Sequence, residues 1–113
     1  MEKSNWTKEE FIAYILLYAT KANFVETPEE KEIILSKVNA QSYQKIHKEL
    51  DNDNDFQSIQ KILANLGKFS YTKRNIDLLI SEIRMLYLSD GDCNSNENTM
   101  FLGLKRLLKD KTF

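Results

Sequence analysis

The chain has 113 residues, of which 42% are apolar and 29% are charged. This is an ordinary globular composition, and the length suits one domain with its own core. Three glycines and one proline are too few for an all-β fold, whose tight turns use both residue types. The formal net charge of −1 removes the general electrostatic attraction on which nucleic-acid binding depends, so we expect no nucleic-acid partner.

Two capping boxes open the first two predicted helices. Thr7 and Glu10 have the spacing at which the hydroxyl accepts a backbone N–H and the carboxylate accepts the N–H of the cap residue. Thr27 and Glu30 repeat this spacing, with a proline at the first helical position, and this helix is predicted to run to about Val38. The apolar positions that recur at helical spacing, and are therefore expected to face the core, are Phe11, Ile15, Tyr18, Ala19, Ala22, Ile33, Ile34 and Val38.

Asparagine and aspartate residues delimit the middle of the chain. The third helix is predicted from Ala40 to Leu50 with Asn39 as its cap, and the Asx-rich segment 51–55 should end it, because these side chains compete for backbone amides. A fourth helix follows, and Gly67 is predicted to lie just beyond its C-terminus. The inward residues of these two helices are predicted to be Tyr43, Ile46, Leu50, Phe56, Ile59, Leu63 and Leu66.

The last third of the chain predicts two more helices. Thr72 is the expected cap of the fifth helix, and Asn94 with Glu97 forms the box that opens the sixth. Their inward stripes are predicted to be Ile76, Leu79, Ile80, Ile83, Leu86 and Tyr87, followed by Met100, Phe101, Leu104, Leu107 and Leu108. The aromatic residues expected at the periphery, where they could anchor a partner, are Trp6, Tyr14, Tyr71 and Phe113. The sequence thus predicts an all-α fold, a compact bundle of about six helices that forms a single domain over residues 1–113.

Two polar loops, at residues 22–30 and 89–97, can be aligned so that Thr27 matches Asn94 and Glu30 matches Glu97. Each loop follows an apolar helix and precedes an amphipathic one. One interpretation is an internal repeat of helix-loop-helix pairs, which would give the bundle a pseudo-twofold arrangement. The other is that shared capping chemistry makes any two helix starts look alike.

The segment from Leu88 to Asp92, followed by Glu97 and an apolar helix, resembles the signature of the TerB-like family, which is named for tellurite resistance. In that family an Asp-Gly loop precedes a helix headed by glutamate. The earlier loop resembles a degenerate copy, because Asn23 and Phe24 stand where the family has Asp-Gly. The resemblance covers residues 6–108 and implies an all-helical bacterial domain from a stress-response system. It also implies a protein-interaction or metal-sensing module rather than an enzyme.

The candidate metal-ligating residues are Asp90, Asp92 and Glu97. Asp90, Asp92 and Asn94 alternate like the first ligands of an EF-hand. However, Ser95 stands where that loop needs glycine, and Phe101 where it needs a bidentate glutamate. A looser Ca²⁺ or Mg²⁺ site remains open, since hard cations need only several converging oxygens. The competing interpretation is that these residues turn the chain and favour a helix N-terminus through its dipole.

No glycine-rich phosphate loop, zinc-ligand spacing or nucleophile elbow occurs in the sequence, and His47 is its only histidine. We therefore expect a non-enzymatic interaction module whose partner is another protein or a second copy, with a divalent-cation sensor or buffer as the alternative. The single cysteine, Cys93, and the charged N-terminus without a signal-peptide core predict a cytoplasmic location. No apolar stretch reaches the ~20 residues of a transmembrane helix, so no transmembrane segment is expected.

Overall fold

The computed structural model describes residues 6–20, 27–89 and 95–110, with the side chains of residues 98–109 in the last range. Six helices and no strand lie within these ranges, which confirms the predicted all-α bundle. The Cα radius of gyration is 13.1 Å, as expected for a compact chain of this length. The helices are α1 (Lys8–Thr20), α2 (Pro28–Leu35), α3 (Ala40–Asn52), α4 (Asp55–Lys68), α5 (Lys73–Leu88) and α6 (Ser95–Asp110).

Helix α1 is the centre of the bundle and packs against each of the other five helices. Every residue from Phe11 to Thr20 is buried except Ile12, which is partly buried. The sequence predicted a single inward stripe on this helix. Helix α1 is instead apolar on all sides, so its neighbours can cover it on all sides. The predictions of peripheral positions for Trp6 and Tyr14 are consequently wrong, because both side chains lie in the core. Ala22 lies outside the described residues.

The predicted starts of α1, α2, α3 and α5 are confirmed by their hydrogen bonds. Glu10 N donates to Thr7 Oγ1 at 3.1 Å and Thr7 N donates to Glu10 Oε1 at 2.9 Å. Thr27 and Glu30 form the same reciprocal pair with the same two distances. Asn39 and Thr72, the predicted caps of α3 and α5, also accept the expected backbone N–H, whereas Asn94, the predicted cap of α6, lies outside the described residues. These contacts join residues three apart, so the local sequence is sufficient to specify them.

Helix α2 ends at Leu35 rather than near Val38. Ser36 N donates to the carbonyl oxygens of Glu32 and Ile33, and a turn follows. The turn is needed because Asn39 takes up an extended conformation, with ψ at 167°, in order to cap α3. Val38 is nevertheless buried, so the prediction of its inward position is confirmed although its helix assignment is wrong.

The inward face of α4 differs from the predicted one. Phe56, predicted to be in the core, is 69% exposed, while Ile59 and Leu63 are only partly buried. The buried residues of this helix are Ser58, Ile62, Asn65 and Leu66. The apolar pattern gave the wrong inward face because the true one includes two polar residues. Ser58 Oγ lies 3.0 Å from the Tyr14 hydroxyl, and the Asn65 amide nitrogen donates to the carbonyl oxygen of Lys61 at 2.8 Å.

The end of α4 is also displaced from its predicted position. Gly67 lies within the helix, which continues to Lys68, and Ser70 takes the left-handed conformation with φ at 52°. Ser70 N donates to Gly67 O at 3.1 Å and Tyr71 N donates to Leu66 O at 3.0 Å. This is the hydrogen-bond pair of a Schellman motif, with serine at the position that usually belongs to glycine.

Helices α5 and α6 pack against each other and against α1. All six predicted inward residues of α5 are buried. In α6, Leu104 and Leu108 are buried, and Met100, Phe101 and Leu107 are partly buried. The polar loops on which the internal repeat depends fall largely at residues 21–26 and 90–94, outside the described residues, so the repeat stays a prediction. Within the described ranges, no helix is both long and apolar enough to cross a bilayer.

Candidate functional site

The predicted cation ligands lie at the edge of what the structure describes. Asp90 and Asp92 fall outside the described residues, and Glu97 is placed in the first turn of α6 by its backbone alone. Elsewhere in the described chain, no group of three histidine, cysteine, aspartate or glutamate side chains is arranged to hold a metal ion. The cation site therefore stays a prediction.

A polar network joins α1, α3 and α4. The Tyr14 hydroxyl donates to Asp53 Oδ2 at 2.7 Å and lies 3.0 Å from Ser58 Oγ. Lys61 Nζ donates to the same Asp53 oxygen at 2.8 Å and to Glu49 Oε2 at 2.7 Å. The other oxygen of this glutamate, Oε1, accepts from the Trp6 indole at 3.1 Å.

Burial and charge set the protonation states of this network. Burial, and to a smaller extent the Asp53 carboxylate, raises the pKa of Tyr14 far above its ordinary value, so its phenol stays protonated. Burial lowers the pKa of Lys61, but its hydrogen bonds to Asp53 and Glu49 more than offset this effect, and the net shift is upward. The neutral phenol of Tyr14 and the charged amine of Lys61 donate hydrogen bonds to the carboxylates of Asp53 and Glu49. These hydrogen bonds hold the three helices together.

Helix α5 carries an apolar seam on its exposed face. We call the residues Arg74, Leu78, Ser81, Met85 and Leu88 the α5 seam. They lie on the helix face opposite its buried stripe, and they repeat at alternating spacings of four and three residues. Leu78 is 58% exposed, Met85 68% and Leu88 44%, so each side chain leaves much of its apolar surface in contact with water.

A groove of about 370 Å³ runs beside this seam, between α5 and the start of α1. Three seam residues, Leu78, Ser81 and Met85, line the groove, and further apolar lining comes from Ile12, Tyr71 and Leu79. Such a concave apolar surface next to exposed apolar side chains is typical of sites that bind an apolar ligand or a partner helix.

The charged groups at the rim of the groove are engaged within the chain. Glu82 accepts a hydrogen bond from Lys37 at 2.6 Å, and Lys8 Nζ lies 5.4 Å from the centroid of the Tyr71 ring. Burial, with a smaller contribution from the Glu82 carboxylate, raises the pKa of Tyr71 to about 12. The lining thus offers apolar contact, and its phenol is a weaker acid than usual.

The lone histidine lies away from the groove, on α3. His47 Nδ1 lies 3.1 Å from Asp51 Oδ2, one turn further along the same helix, and its ring packs at a tilt against Tyr43. Both the hydrogen bond and the ring contact are ordinary features of a partly exposed helix surface.

No known protein family, curated protein or solved structure matches this chain. The resemblance to TerB-like proteins therefore stays a prediction from the sequence.

Proposed function

We propose that this chain is a helical interaction module that binds an apolar surface of a protein partner through the α5 seam and the adjoining groove. The observation that carries the proposal is the exposure of Leu78 and Met85, seven residues apart on one helix face, beside an apolar groove. A helix that lays its apolar face against another helix or into a groove uses anchors at this spacing.

The energetics favour a modest affinity. Complete burial of a leucine or methionine side chain from water contributes about 1.5–3 kcal/mol. Leu78 and Met85 have more than half of that surface still to bury. A few such contacts supply little more free energy than the entropy lost on association costs. This balance is typical of reversible rather than obligate complexes.

The polar contacts support a binding role rather than a catalytic one. The acidic and basic groups of the polar network satisfy each other across α1, α3 and α4. The charges at the groove rim are likewise held by Lys37 and the Tyr71 ring. The resemblance to TerB-like proteins supplies a bacterial stress-response setting, and the single cysteine supports a cytoplasmic one.

Site-specific photo-crosslinking tests this function. A photoreactive amino acid is placed at Leu78 or Met85 in the full chain and, as a control, at Gln44, an exposed position on α3. We expect protein adducts in the expressing cell from the two seam positions and at most a background yield from the control. Equal yields at all three positions, or none at the seam, would contradict the proposal.

A further inference from the structure

We infer that the partner bound by the α5 seam is the α5 seam of a second copy of this chain, docked antiparallel about a twofold axis. The inference rests on the proposed function, because it names the partner of the same surface. Three features support this inference: the size of the seam residues, the charged residues beside the seam, and the like-charge contacts that other alignments would create.

The middle of the seam suits close helix packing. Ser81 lies between Leu78 and Met85 and is small enough to accept a large apolar side chain from a facing helix. Its hydroxyl donates to the carbonyl oxygen of Asp77 at 3.1 Å, so covering it leaves no hydrogen-bond donor unsatisfied. In an antiparallel pair with the axis between residues 79 and 80, Leu78 covers Ser81 of the partner subunit.

The same alignment brings opposite charges together. Asp77 and Arg84 flank one side of the seam, at the positions that face each other in an antiparallel helix pair. Asp77 then lies opposite Arg84 of the partner subunit, and by symmetry the contact occurs twice. Met85 lies against the aliphatic part of Arg74 of the partner subunit, an arrangement in which a long basic side chain covers apolar surface.

The alternative alignments juxtapose like charges. A parallel pair places Asp77 opposite Glu82 of the partner subunit, twice. An antiparallel pair shifted by one heptad brings Arg84 next to Arg84 of the partner subunit at the axis. Like charges opposite each other in an interface destabilise the complex. The charges of Asp77 and Arg84 therefore favour the antiparallel alignment with its axis between residues 79 and 80.

The two charged residues are accessible for this contact. Arg84 is exposed and forms no ion pair with any other described side chain. Asp77 is exposed and lies 3.8 Å from Lys109, a distance at the outer limit for an ion pair. One pair of short helices covers less than the ~1,200 Å² of a standard interface, so we expect a dissociation constant on the order of 10–100 µM.

A charge-swap experiment on the full chain tests the pairing. Sedimentation equilibrium over a range of concentrations measures the dimer constant of the wild type, of Asp77→Arg, of Arg84→Asp and of the double variant. We expect each single variant to weaken the dimer about tenfold or more, since each replaces two attractions by two repulsions. The double variant should return to within about threefold of the wild type.

Two further variants serve as controls. Lys109→Gln removes the contact within the chain and should leave the dimer constant unchanged, while Met85→Glu should abolish the dimer. Circular dichroism of every variant verifies that it is folded. Failure of the double variant to recover, with all variants folded, would overturn the antiparallel pairing.

The outcomes separate this inference from the proposed function. A chain that stays monomeric while photo-crosslinks from Met85 capture a different protein overturns the inference and supports the interaction module. A chain that stays monomeric and gives no seam crosslink overturns both. Dimerisation with recovery in the double variant supports both.

Discussion

Replacement of Tyr14 by phenylalanine tests whether the polar network holds α1, α3 and α4 together. The substitution keeps the buried ring but removes the hydroxyl that donates to Asp53 at 2.7 Å and meets Ser58 at 3.0 Å. A hydrogen bond to a charged group contributes about 1.5–3 kcal/mol. Asp53 retains Lys61, whereas the fully buried Ser58 loses a hydrogen-bond partner. We therefore expect the free energy of unfolding to fall by about 2–3 kcal/mol.

Urea unfolding followed by circular dichroism measures this loss, and the midpoint should drop by about 1–2 M with an unchanged slope. The fluorescence of the single tryptophan, Trp6, whose ring centroid lies 4.4 Å from that of Tyr14, provides a second probe. Tyr18→Phe is the matched control, because Tyr18 is also buried and its hydroxyl makes no hydrogen bond to the described residues. The control should change stability by less than about 0.5 kcal/mol. If Tyr14→Phe costs no more than the control, the network does not stabilise the fold.

Four further predictions concern other parts of the chain. Ser70→Gly, at the left-handed position, and Gly67→Ala, where an added Cβ meets no atom within 4 Å, should each raise the free energy of unfolding by about 0.5–1 kcal/mol. A loss of stability by urea unfolding would contradict either assignment. Because the folded pKa of Tyr71 is raised from 10.0 to about 12, the unfolded state releases its proton first. Stability should therefore fall between these pH values, and a urea midpoint that stays constant there would refute this. The cation hypothesis predicts saturable Ca²⁺ or Mg²⁺ binding to chelator-treated protein, and Asp90→Asn should weaken this binding by at least ~tenfold. Equal affinities of the two proteins in calorimetry would reject the hypothesis.

The sequence alone predicted where most helices begin and which face of α5 is buried. Capping boxes such as Thr7 with Glu10 join residues three apart, so their geometry is decided locally. The buried stripe of α5 is also decided locally. Its six apolar residues at helical spacing lie on one face, and only one orientation of the helix buries that whole face in a core. The left-handed residue after α4 was missed, since serine stands where the local rule leads one to expect glycine.

The polar network could not be predicted in the same way. Tyr14 lies 39 residues from Asp53 and 44 from Ser58 along the chain, and no local pattern links such positions. Only the packing of α1 against α3 and α4 brings them together. That packing also explains why α4 turns Ser58 inward and leaves Phe56 in water.

The same limit applies to the surface proposed for binding. In α1, Tyr14 and Leu17 lie off the predicted inward stripe, and in α5 Leu78 and Met85 do so too. The sequence presents these two pairs alike, as apolar residues on the second face of an amphipathic helix. The tertiary structure separates them: α1 is surrounded by five helices and buries its pair, whereas α5 lies at the outside and leaves its pair exposed. Periodicity fixes the direction in which a side chain points from its helix, but burial depends on what the rest of the chain places there.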